Sequence, residues 1–180
     1  MIFNIPVLGF AARSGTGKTS LLVKLIPLLR EGGLRIAVIK HSHHDFEIDY
    51  PGKDSYELRM AGAVQMLIAS PYREALITEK NGVDEPDLAA LVKTLEPENI
   101  DLVLVEGFRQ WPFPRIELHR SVLNQPYLHR ENDGIIAIAT DTPLEIEGLA
   151  QLDINNPVEI AQYVISWLKL QGGEEGANGT

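Results

Sequence analysis

The sequence predicts an α/β fold: a mainly parallel sheet with helices on both faces, plus a β-hairpin extension. Three observations lead there. Short continuous apolar runs recur ("IPVLGFA", "IDLVLVEGF", "GIIAIAT"), and strands apolar on both faces belong to sheets covered on both sides. Helix-period segments separate these runs, the alternation from which βαβ units are built. Between the first run and the first helical segment lies "ARSGTGKT", Ala12 to Thr19. That spacing reads as a phosphate-binding loop, which makes the sheet one of the P-loop NTPase type.

Taken in order, residues 5–11 form the first strand. Residues 18–31 follow as a helix, with Leu21, Leu22, Leu25, Leu28 and Leu29 at helical spacing. Pro27 should kink it, and Gly32-Gly33 should end it. "RIAVIK", residues 35–40, predicts a second buried strand, and the polar stretch 41–53 a loop. A short helix over 54–62 would be capped by Asp54 or Ser55. "VQMLIAS" and "REALITE" flank Pro71-Tyr72 as an antiparallel hairpin. A helix over 86–95 begins at a proline. Residues 100–108 hold the strongest buried strand, with further strands at 115–120, 134–140 and 149–154. A last helix covers 157–170 on the stripe Ile160, Val164, Ile165 and Leu168. One nucleotide-binding domain is expected over 1–171, with a disordered acidic tail over 172–180.

Composition sets limits. The 180 residues are 44% hydrophobic, enough for a sizeable core. A net charge of −9 argues against nucleic acid or an anionic membrane as partner. The chain has no cysteine, which removes disulfides, thiolate metal sites and cysteine nucleophiles. The apolar start "MIFNIPVLGFAA" lacks a basic segment and runs straight into the glycine loop, so it reads as a strand and not as a signal peptide. No run approaches the ~18 apolar residues that span a bilayer. A soluble, cytoplasmic protein is expected.

In sheets of this kind ligands bind beyond the carboxyl ends of the strands. After the first strand, Ser14, Gly15, Thr16 and Gly17 would turn backbone N–H groups toward phosphate oxygens. Lys18 would reach the β- and γ-phosphates, and Thr19 would ligate Mg²⁺. Ala12 replaces the first glycine of the pattern and disfavours a positive φ there. The competing reading, a glycine-rich turn capped by Thr19, is weaker because sequence, spacing and context agree.

Other strand ends carry further candidates. Glu106 closes "LVLVE" and would hold Mg²⁺ through water or orient an attacking water. In "KHSHHD", Lys40 and His41 could face phosphate, and Asp45 or Asp49 could touch metal or water. The histidines also invite a transition-metal reading. Neighbours on an extended segment point to opposite sides, however, so His43 and His44 cannot easily share one ion. Asp141, in "ATDTP", could accept hydrogen bonds from N1–H and the 2-amino group of guanine, or could serve only a turn. "GFRQWPFP" sets Phe108, Trp111 and Phe113 beside Arg109, either as interface anchors or as residues packing a loop. The hairpin would cover the edge of its own sheet or pair with a second subunit.

Four stretches together, "FAARSGTGKT", "IKHSHHDFEIDYPGKDSYELRMAGA", "DLVLVEGF" and "AIATDTP…LDIN", resemble the molybdopterin-guanine dinucleotide biosynthesis adapter family, the MobB family. The likeness covers nearly the whole chain up to the tail, and "KHSHHD…PGKDS" is its most specific part. It implies a homodimer that binds GTP with Mg²⁺ and hydrolyses it slowly. It also implies a separate guanylyl-transferring enzyme as partner, which attaches GMP to molybdopterin, with molybdopterin itself a further candidate ligand. By motif, Gly15, Gly17, Lys18 and Thr19 would be the phosphate site, Glu106 the metal-side acid and Asp54 a contact in the cleft. Two rivals use the same loop: a small-molecule kinase, with His41, Asp45 or Asp49 as base, and a metal-delivery GTPase.

Overall fold

A computed structural model describes residues 3–42, 44–132 and 134–174. In chain order the elements are β1 (Val7–Ala12), α1 (Lys18–Glu31), β2 (Ile36–Lys40), α2 (Asp54–Met60), β3 (Gln65–Ser70), β4 (Arg73–Thr78), α3 (Leu88–Lys93), β5 (Leu102–Glu106), β6 (Arg115–His119), β7 (Ile135–Thr140), β8 (Ala150–Asp153) and α4 (Pro157–Glu174). They fall into two compact units, Met1–His41 with Asp87–Thr180, and Ser42–Pro86. The expectation of one domain over 1–171 thus meets a chain in which the second unit is inserted, in sequence, between β2 and α3.

The larger unit is a P-loop NTPase-like α/β sheet of six parallel strands in the order β2-β5-β1-β6-β7-β8. Strands alternate their side chains between faces. Leu102 and Leu104 of β5, with Leu8 and Phe10 of β1, pack against Leu21, Leu25 and Leu29 of α1 and Ile160 and Val164 of α4. Val103 and Val105 face the other way and pack with Leu88, Val92, Phe108 and Phe113. The expected stripes on α1 and α4 are therefore the ones that build the core. The helix α1 runs through Pro27, which lies on its exposed side.

The expectation for β2 changes: it is an edge strand and only half buried, because among the described residues no strand pairs with its outer side. For the loop aromatics the structure decides between the two readings: Phe108 and Phe113 are buried and pack their loop against the sheet.

Neither β5–β6 nor β6–β7 is joined by an α-helix. The segments 107–114 and 120–134 take that place, with one 3₁₀ turn at Ser121–Leu123. Irregular backbone over a sheet needs hydrogen-bond partners, and β6 supplies them. Ile116 and Leu118 point into the first core, while Arg115, Glu117 and His119 are buried on the opposite face. The Arg115 guanidinium donates to the carbonyls of Phe108, Trp111 and Phe113 and lies 3.8 Å from the Phe113 ring centre. Burial pushes its pKa down to about 10. Glu117 accepts the N–H groups of Leu128 and His129 at 2.7 and 2.8 Å. Gly9 of β1 leaves room for the Phe113 ring, which would lie 2.5 Å from a Cβ there.

In the smaller unit, β3 and β4 pair antiparallel as a two-stranded sheet of their own, with Leu67 opposite Leu76. Leu67, Tyr72 and Leu76 are exposed. Arg59 of α2 is buried among Glu47, Asp49 and Glu79, whose hydrogen bonds raise its pKa. Lys53, not Asp54 or Ser55, precedes the first turn of α2, and no side chain caps it. Helix α4 extends through Glu174, and the rest of the expected tail lies outside the described residues. No helix among the described residues is long and apolar enough to cross a membrane.

Candidate functional site

The loop after β1 has the backbone its glycines allow. Gly15 and Gly17 take φ values of +82° and +92°, where a β-carbon is strained, and no atom lies within 4 Å of where either Cβ would sit. Thr16 is buried, and its Oγ1 donates to the Arg13 carbonyl at 2.8 Å. Gly17 caps α1, so the first N–H groups of that helix open onto the loop. Ser14 and Thr19 are exposed on either side.

Lys18 does not point into open solvent as a bare cation. Its Nζ lies 3.1 Å from Oε1 of Glu106, with each side chain about one-fifth exposed. This places the end of β5 directly beside the loop after β1, its neighbour in the sheet. In the β2 register Lys40 is opposite Glu106. The His41 N–H donates to the Glu106 carbonyl at 2.8 Å, and its ring stacks on Phe108 at 4.8 Å. The turn that follows is tight: Gly107 has φ +95°, and a Cβ there would sit 2.6 Å from Cβ of His41. Lys18, Lys40, His41 and Glu106 thus meet at one edge, as their positions after strands predict.

Asp141 follows β7. Its Oδ1 accepts the Ser121 N–H at 2.8 Å, and that backbone hydrogen bond holds its pKa below the usual carboxylate range. It lines a cavity of about 420 Å³ with Thr140, Asp153 and Asn155. Asp45 and Asp54 belong to the smaller unit, both exposed. Asp54 lines a cavity of about 640 Å³ there with Lys53, Ser55 and residues 66–69 of β3. His43 lies outside the described residues. Among those described, no three His, Asp or Glu side chains cluster as metal ligands. Thr19 and Glu106 offer oxygen atoms only, the ligands of a hard divalent cation.

One residue escaped the sequence reading. Arg120, the first after β6, donates from Nε to the Thr16 carbonyl at 3.2 Å and from a terminal nitrogen to Oδ1 of Asn155 at 3.0 Å. The rule that selected Glu106 and Asp141, position just after a strand, points to it equally.

A family model described as "Molybdopterin guanine dinucleotide synthesis protein B", MobB, matches residues 7–141, most of the chain. The chain belongs to the MobB family. Its similarity to the MobB relatives runs over nearly full lengths. It is 46% identical over 174 residues to the molybdopterin-guanine dinucleotide biosynthesis adapter protein of Escherichia coli (strain K12), covering 94% of this chain and 97% of the relative. It is 44% identical over 166 residues to the protein of the same name from Haemophilus influenzae, covering 92% and 90%. A crystal structure of molybdopterin-guanine biosynthesis protein B (mobB) superposes with a TM-score of 0.72 at 28% identity, covering 91% of this chain and 99% of that one. The MobB match ends at Asp141, so it contains the phosphate-loop segment, Glu106 and Arg120.

Proposed function

We propose that the chain is a GTP-binding adapter in the making of molybdopterin guanine dinucleotide, assisting a separate enzyme that transfers the guanylyl group. The observation that carries the nucleotide part is the Lys18–Glu106 pair, 3.1 Å long, between a phosphate loop with two positive-φ glycines and the end of the neighbouring strand. The positive-φ glycines and the N-terminus of α1 support phosphate as the ligand, and the oxygens of Thr19 and Glu106 support Mg²⁺. The adapter part is supported by the names that the near full-length relatives bear.

In this reading the backbone N–H groups of Ser14 to Thr19 bind phosphate oxygens, aided by the positive end of α1. Lys18 leaves Glu106 and turns to the β- and γ-phosphates. Thr19 and Glu106 hold the Mg²⁺, which when bound neutralises phosphate charge. Lys40 and His41 flank the phosphates, and Asp141 accepts from the guanine edge. Asp45 and Asp54 enter on sequence alone, Asp45 as a water-orienting carboxylate and Asp54 as a nucleotide contact. The exposed hairpin of β3 and β4 pairs with a second copy, giving a homodimer in the cytoplasm.

Titration of the purified protein with GTP, ATP and their hydrolysis-resistant analogues, with and without Mg²⁺, tests this reading. Tighter binding of GTP than ATP, dependent on Mg²⁺, is expected. Binding of neither nucleotide would remove it.

A further inference from the structure

Asparagine is an ambiguous reader of bases, because its amide can present either an oxygen or an NH₂ group. At Asn155 that ambiguity is resolved. Arginine carries donors only, so Arg120 can meet the amide through Oδ1 alone, as it does at 3.0 Å. The NH₂ half is then the half left for a ligand. The backbone is held as well, since the Asn155 N–H donates to Oδ1 of Asp153 at 2.8 Å. Asn155 and Asp141 line the same cavity of about 420 Å³ beyond the ends of β7 and β8. An oriented donor and an ionised acceptor therefore share one pocket. Arg120 joins that pocket to the phosphate loop through the Thr16 carbonyl.

We propose that Asn155, oriented by Arg120, reads guanine: its NH₂ donates to O6 while Asp141 accepts from N1–H and the 2-amino group. The inference rests on the nucleotide reading above and names its specificity device. Adenine carries the inverse pattern, an amino group in place of O6 and a bare ring nitrogen in place of N1–H. The fixed amide meets adenine donor to donor, and the carboxylate meets it acceptor to acceptor. Without Arg120 the amide could turn and accept from the adenine amino group, so Arg120 is a positioning residue for discrimination.

The full chain is titrated calorimetrically with Mg²⁺ complexes of GTP, ATP and tripolyphosphate. Wild-type protein should prefer GTP. Asn155→Ala should lower the GTP-to-ATP ratio about tenfold or more, the effect of losing one good base contact, and leave tripolyphosphate affinity unchanged. Asn155→Asp places an acceptor against O6 and should lower GTP while raising ATP. Arg120→Met should compress the ratio by the same route, and Arg120→Lys, which keeps a donor for Oδ1, should restore part of it. A merely structural role would weaken every ligand by one factor. An unchanged GTP-to-ATP ratio in Asn155→Ala would overturn the proposal. Wild-type protein that binds tripolyphosphate but shows no base preference would also overturn it while leaving the phosphate-loop reading standing. Wild-type protein that binds neither nucleotide nor tripolyphosphate would defeat that reading itself, and this inference with it.

Discussion

Lys18 and Glu106 pair where the loop after β1 meets the end of β5. A lysine charge is unfavourable at a helix N-terminus, and Glu106 balances it at 3.1 Å. Lys18→Ala should cut GTP affinity on the order of 100-fold or more, the usual cost of truncating one partner of a close charge pair. The fold should survive, because α1 stays anchored by Leu21, Leu22, Leu25 and Leu29. Calorimetric titration with a circular-dichroism control checks both halves. Unchanged affinity in a folded variant would exclude the loop as the main affinity determinant. Glu106→Gln should weaken the Mg²⁺ dependence of binding more than the binding measured without Mg²⁺, since it frees Lys18 and removes a metal-side charge.

At the scale of elements, the chain spans the second face of β6 with loops and anchors them with charge. Glu117 is almost wholly buried and accepts two backbone N–H groups from the 120–134 segment. Glu117→Ala would leave both without a partner, and about 2–5 kcal/mol of stability should be lost in urea unfolding. Glu117→Gln keeps one acceptor oxygen and should lose less. At the sheet's edge, Arg35 and Asp101 tie the start of β2 to the start of β5 through a forked pair at 2.7 and 3.0 Å. The hydrogen bond from Arg35 lowers the Asp101 pKa to about 2. An acid depressed in the folded state stabilises above its unfolded pKa, near 3.9, and that contribution fades as pH falls through about 2. Asp101→Asn should therefore lower Tm at pH 7 by a few degrees at most, because the Arg35 side chain is exposed and Asp101 only half-buried, so solvent screens the pair. The difference from wild type should shrink between about pH 4 and pH 2. An equal difference across that range would show that the pair is not ionic.

On the proposed function, the whole molecule would hold a nucleotide more than turn it over. Fast GTPases place an extra positive charge on the transition state, and those without one turn over at ~10⁻⁴–10⁻³ per second. Here Arg120 is committed to Thr16 and Asn155, and Arg109 is exposed in the segment after Glu106. A single-turnover assay on the isolated protein should give GTP hydrolysis far below one per second, with phosphate free in solution. Turnover near ten per second, or phosphate appearing on a metabolite, would favour a small-molecule kinase instead. In the aromatic cluster after Glu106, Phe108 and Phe113 are buried and offer no surface to a partner, while Trp111 is half-buried. Leu67, Tyr72 and Leu76 on the hairpin of the smaller unit are exposed.

What the sequence alone determined is local. Helix period, glycine placement and the Gly17-Lys18-Thr19 spacing are read within one turn of chain, so α1, the phosphate loop and the strand ending at Glu106 were legible. So was the hairpin, whose pairing closes over two residues. Tertiary structure decided whatever depends on distant partners. β2 reads as a buried strand in sequence, yet strand order leaves it at the edge. Arg115, Glu117 and His119 are polar, yet they are buried, because the loops on either side of β6 fold back over it and bring carbonyls and N–H groups to them. Arg120 meets Thr16 across 104 residues and Asn155 across 35. No periodicity encodes such a contact. It exists because parallel strands gather their carboxyl ends at one edge of the sheet, where residues far apart in the chain can satisfy one another's hydrogen bonds.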